Sequence, residues 1–130
     1  MREMLSLLGL AQRAGAVIDG DKRVLQAMRS PRRPLVFMAS DIGKNNRKKI
    51  LDKAATYDIE VLDCFDGATL SKAVGKDNRK TLAVIDERFI EQIGRRMRTE
   101  RVLTWQREDQ DRTTKDNKAE REGDPNDRRR

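Results

Sequence analysis

Two short runs in this chain are apolar at every position, Leu35-Val36-Phe37-Met38-Ala39 and Leu82-Ala83-Val84-Ile85. Side chains of a strand point alternately to its two faces, so a strand with no polar position needs cover on both sides. That is the situation of a central strand between layers of helices. An α/β sandwich is therefore the expected architecture.

The rest of the chain supplies the helices. Met4, Leu7, Leu8 and Ala11 recur at helical spacing, and Gly15 is placed to end that helix. A short strand, Ala16-Val17-Ile18, leads into a second helix whose buried face is Val24, Leu25, Ala27 and Met28. The two prolines of Ser30-Pro31-Arg32-Arg33-Pro34 then break the chain. From Lys44 or Asn45 onward, Ile50, Leu51, Ala54 and Ala55 mark a third helix, with Asn45 or Asn46 available as its cap. The imperfect alternation of Ile59-Glu60-Val61-Leu62-Asp63-Cys64 predicts a less deeply buried strand, in which Cys64 is a small apolar core residue. Leu70, Ala73 and Val74 form a fourth helix closed by Gly75. Phe89, Ile90, Ile93 and Met97 form a fifth, with Arg88, Arg95, Arg96 and Arg98 on its outer side.

Past Leu103 the composition changes to one Trp among acids, bases, Asn, Thr and Gly. Such a stretch cannot bury enough surface to offset the entropy of ordering it, so residues 1–103 are expected to form the domain and residues 104–130 a disordered tail. Trp105 either docks on the body or has no role, and the terminal Arg128-Arg129-Arg130 is weak evidence for a nucleic-acid contact. The boundary also divides the charge. Of 29 Lys and Arg and 22 Asp and Glu, eight of each fall in residues 104–130, so 21 basic and 14 acidic residues remain in 1–103 and carry the whole net charge of +7. A body of that sign attracts polyanions, although solubility alone also accounts for it.

Catalytic tools are scarce. The chain has no histidine and one cysteine, which excludes histidine acid/base chemistry, structural zinc and an internal disulfide. It has no phosphate-binding or dinucleotide glycine loop, no nucleophile elbow and no acid-rich metal cluster. Asp41 and Asp86 follow the two apolar strands and read as strand-end or capping acids. No catalytic residue, metal or cofactor is therefore assigned. The apolar run near the start is short and flanked by charges, and no run reaches the length of a membrane span, so a soluble, cytoplasmic monomer is expected.

Binding is better supported. In Val17-Ile18-Asp19-Gly20-Asp21-Lys22-Arg23-Val24 a strand turns into a helix, with Asp19 as candidate N-cap. Lys22 and Arg23 oppose the helix dipole, so they either point into water or face an anion. Lys44 and Arg47 at the third helix, and Lys76, Arg79 and Lys80 before the last strand, repeat the pattern. Loops after parallel strands gather at one sheet edge, so at least two of these groups are placed to share a surface. With 4% aromatic residues, stacking of single-stranded bases is disfavoured, and a structured RNA held through its backbone and shape is the better fit.

Leu7-Leu8-Gly9-Leu10-Ala11-Gln12-Arg13-Ala14-Gly15, then Leu35 to Asp41, then Ala73-Val74-Gly75-Lys76 through Arg79 to Leu82-Ala83-Val84-Ile85-Asp86, resemble in order and spacing the bacterial YlxQ-like branch of the kink-turn-binding ribosomal protein family called L-seven-Ae. The resemblance covers roughly residues 4–97. It implies a three-layer α/β/α sandwich with a mixed four-stranded sheet, and RNA binding without catalysis. The family's G-x-N-E motif falls on Gly20, Asp21, Lys22 and Arg23, so the glycine is kept while cations stand at the asparagine and glutamate positions. A carboxylate accepts from a guanine edge and arginine cannot. A lysine frequent one turn later is Gln26 here. The family's second contact loop corresponds to residues 76–80, where Lys76, Asn78 and Arg79 replace an apolar character with a basic one. The implied partner is ribosomal or other structured RNA, with the ribosome as its setting, gripped chiefly by phosphate contacts. A ribosome- or transcription-associated adaptor with little direct RNA contact is the alternative.

Overall fold

The computed structural model describes residues 2–100, with side chains through residue 97. The tail expectations for residues 104–130, and the outward side chain assigned to Arg98, lie outside the described residues.

The elements follow in the order α1 (Arg2–Arg13), β1 (Val17–Asp19), α2 (Asp21–Ala27), β2 (Leu35–Met38), α3 (Lys44–Tyr57), β3 (Val61–Leu62), α4 (Gly67–Ala73), β4 (Thr81–Val84) and α5 (Glu87–Glu100). The strands form one mixed sheet in the order β1-β4-β2-β3. β4 runs antiparallel to both of its neighbours, and β2 and β3 are parallel. All four residues of β2 and of β4 are buried, as cover on both faces requires, although β4 runs one residue earlier than its apolar run, taking in Thr81 and leaving Ile85 half-buried outside it. Helices supply the cover: α1 packs on α4 and α5, and α2 packs on α3.

The helical faces are those the apolar spacing predicts. Met4, Leu8 and Ala11 of α1 meet a core that takes Val24 and Met28 from the α2 segment, Ile50 and Ala54 from α3, Leu70 from α4, and Ile93 and Met97 from α5. Each large apolar side chain buried this way contributes about 1.5–3 kcal/mol. Phe37 stacks on Phe65 with ring centroids 6.3 Å apart. Cys64 is half-buried and packs against the same core.

Three expectations are corrected. The third strand is only two residues long, and both are buried, because parallel pairing of Val36 with Val61 and of Phe37 with Leu62 draws it into the core. Asp19 does not cap α2; Gly20 holds that position with no side-chain cap bond. Neither Asn45 nor Asn46 caps α3, because Gly43 occupies the N-cap. In both cases the polar side chain that local preference assigns to a cap is free for, or engaged by, a distant partner.

Register decides which loops meet. Asp19 pairs with Leu82, Met38 with Thr81, and Phe37 with Leu62. The C-terminal ends of β1, β2 and β3 therefore share one sheet edge with the N-terminal end of β4. The backbone bonds from Gly20 N–H to the Thr81 carbonyl, 3.3 Å, and from Ala39 N–H to the Lys80 carbonyl, 2.8 Å, extend both ladders to that edge.

Candidate nucleic-acid interface

Asp19 ends β1 with its side chain only 11% exposed, and it collects three cations. Lys76 Nζ lies 3.3 Å from Oδ2, Arg79 Nε 3.5 Å from the same oxygen, and Arg23 Nη1 4.0 Å from Oδ1. A carboxylate taken so far out of water needs opposite charge beside it. The cations come from two segments, α2 and the loop between α4 and β4. Their own side chains remain 69% exposed at Arg23, 39% at Lys76 and 36% at Arg79.

Asp21 performs a second junction. Its Oδ1 accepts from the Thr81 hydroxyl at 2.8 Å and its Oδ2 from the Asn46 amide at 3.0 Å. The first bond ties α2 to β4 and the second ties α2 to the first turn of α3, where Lys44 and Arg47 stand. Arg47 is committed to Asp63 just beyond β3, with Nη2 3.0 Å from Oδ2. Lys22 and Lys44 are exposed and make no ion pair among the described residues. Gln26, one turn after Lys22, is also exposed.

The loop of residues 75–80 is built rather than slack. Gly75 at φ 69 and Asn78 at φ 54 turn the chain through left-handed backbone, which Gly and Asn adopt most readily. The buried Ser71 hydroxyl accepts from the Arg79 N–H at 2.8 Å and donates to the Arg79 carbonyl at 3.1 Å. Arg79 Nη1 donates to the Asp77 carbonyl at 3.0 Å. Lys80 lays its stem over Gly67, where an added Cβ would meet it at 2.8 Å, and places Nζ 3.1 Å from Asp41 Oδ2. The Gly67 N–H donates to Asp41 Oδ1, and that bond, followed by the one from Lys80, holds the Asp41 carboxyl below its ordinary range.

All the sequence-predicted residues thus lie on segments meeting at one sheet edge, in two roles. Lys22, Arg23, Gln26, Lys44, Lys76, Asn78 and Arg79 present whole or partial side chains to solvent. Gly20, Asp21 and Arg47 belong mainly to the framework that holds them. Asp19 and Ser71 are the residues that sequence reasoning missed as site components. The signal for Asp19 was available: it is the strand-end acid beside two cation-rich segments. For Ser71 there was none, because its partner is eight residues away across a turn. At the opposite edge the arrangement differs. A pocket there lies beside Gly15, Arg32, Ile85 and Arg88, but the acids Asp86 and Glu87 line it as well, and Arg88 is answered by Asp86 at 2.9 Å.

The chain is similar to known proteins in sequence and in fold. "RNA-binding protein YlxQ" of Enterococcus faecium is 32% identical over 88 residues, spanning 68% of this chain and 84% of that protein. The protein of the same name from Bacillus subtilis (strain 168) is 34% identical over 91 residues, 70% of this chain and 91% of the relative. A solved structure of a protein of unknown function from Bacillus halodurans C superposes with a TM-score of 0.66 at 36% identity, covering 70% of this chain and 92% of that one. The sequence profile of the ribosomal protein L7Ae/L30e/S12e/Gadd45 family matches residues 2–93. With most of the described residues inside that match and relatives above 30% identity, this chain belongs to the L7Ae/L30e/S12e/Gadd45 ribosomal protein family.

Proposed function

We propose that this chain is a non-catalytic RNA-binding protein that holds ribosomal or other structured RNA at the edge formed by α2, the start of α3 and the loop before β4. The observation that carries the reading is the convergence of Lys22, Arg23, Lys44, Lys76 and Arg79 from three separate segments on one edge, joined by the Asp19 and Asp21 contacts. Relatives named as RNA-binding proteins support the class of partner.

The contacts are weighted toward phosphate. Lysine and arginine donate and never accept, so Lys22 and Arg23 suit phosphate oxygens, or guanine acceptors, rather than the base edges that an asparagine and a glutamate would read. Filter binding with a panel of ribosomal RNA fragments at low salt tests this, with each kink-turn fragment paired with a version lacking the kink. Binding is expected, with little loss when the kink is removed. Absence of binding to every fragment would overturn the proposal and leave the protein-adaptor reading.

A further inference from the structure

We propose that Asp19 is a positioning residue for an RNA phosphate: its carboxylate gathers Arg23, Lys76 and Arg79 into one site for a single phosphodiester group. The inference rests on the RNA-binding reading and adds a residue of the opposite sign to the site.

Three features lead to it. First, one acid faces three cations, so the cluster keeps a net charge of about +2 and remains attractive to an anion. Second, the distances are those of partial engagement. Arg79 Nε is buried and makes no formed hydrogen bond, its Asp19 contact being 3.5 Å, and Arg23 stands at the limit of ion-pair range. Lysine carries three donors and arginine five, so each cation has N–H groups left over for a phosphate after meeting Asp19. Third, the scaffold beneath is fixed. Ser71 clamps the Arg79 backbone on both sides, and Lys76 N–H is bonded to the Ser71 carbonyl at 2.9 Å. Arg79 and Lys76, whose backbones are fixed in this way, lose less freedom on binding, which preserves affinity.

The test turns on sign. Asp19→Asn removes a negative charge from a basic surface. If the surface were only a field of charge, RNA affinity would rise. A positioning role predicts that affinity falls about tenfold, the scale of one charge-assisted hydrogen bond, and that the slope of log affinity against log salt becomes shallower by about one. The measurement uses the full chain and the tightest ribosomal RNA fragment from the binding panel. A second arm separates positioning from general destabilisation: in an Arg79→Gln background, Asp19→Asn adds less than it does alone, because both act on one phosphate, whereas independent effects would add. Should Asp19→Asn fail to fold, Lys76→Gln and Arg79→Gln replace it, and their joint loss is expected to be smaller than the sum. Equal or tighter binding by Asp19→Asn, or strict additivity of the lysine and arginine variants, overturns the inference while leaving RNA binding intact. Loss of binding by the unaltered chain would instead defeat the RNA reading itself.

Discussion

The Asn46 side chain donates to Asp21 Oδ2 at 3.0 Å, and this bond between residues 25 positions apart joins the first turns of two helices that leave different strands. Because Asp21 Oδ1 is simultaneously held by the hydroxyl of Thr81, whose residue is fully buried, one carboxylate fixes the relative placement of α2, α3 and β4. The cations on α2, on α3 and in the loop that leads into β4 inherit that placement.

Asp21→Ala is expected to destabilise the fold by about 1–3 kcal/mol, since it strands a buried hydroxyl and the Asn46 amide. Asp21→Asn should cost less, because it keeps the Oδ1 acceptor. Adding Thr81→Val to Asp21→Ala should recover part of the loss by removing the stranded hydroxyl. Urea unfolding of the set measures this, and an Asp21→Ala variant as stable as the parent would refute the junction.

Gly20 and Gly43 are both helix N-caps with nothing within 4 Å of a would-be Cβ, and they differ in backbone: φ is 96 at Gly20 and −61 at Gly43. Gly20→Ala should cost of order 1–3 kcal/mol through strain alone. Gly43→Ala loses only the capping preference and should cost under about 1 kcal/mol. Equal unfolding midpoints for the two variants would show that the turn at Gly20 relaxes freely.

Asp41 links acid stability to the same edge. Its carboxyl is held below the ordinary range, first by the Gly67 N–H and then by Lys80, so the folded state favours the charged form. The stabilisation is fully present above the unfolded value near pH 4 and disappears as pH falls through the lower folded value. Asp41→Asn should therefore be less stable than the parent near neutral pH, and the gap should narrow as pH falls below the unfolded value. A gap that stays constant with pH would contradict this origin.

Much of the frame was legible in the sequence, and the reasons separate along physical lines. The uninterrupted apolar runs became β2 and β4 because burial on both faces leaves no other pattern. The ends of the helices at Gly15 and Gly75 were legible because both glycines sit at positive φ. What misled was capping. Asp19 and Asn46 have the side chains of caps, yet one is held by Lys76 and Arg79 from across the sheet edge and the other by Asp21. Those partners lie far away in sequence, so local preference had no access to them. The buried state of Val61 and Leu62 was missed for the same reason, since it follows from pairing with β2 rather than from their own alternation.

The grip of this edge on an RNA backbone is tested most directly through Lys22 and Lys44, whose removal breaks no ion pair among the described residues. The measurement is the equilibrium affinity of the parent and of Lys22→Gln/Lys44→Gln for one ribosomal RNA fragment across about 50–200 mM salt. The predicted result is a steep linear fall of log affinity with log salt for the parent, and a slope shallower by about one per lysine in the double variant, with the fold unchanged. Identical slopes and affinities for the two proteins would contradict the assignment of this edge as the RNA surface.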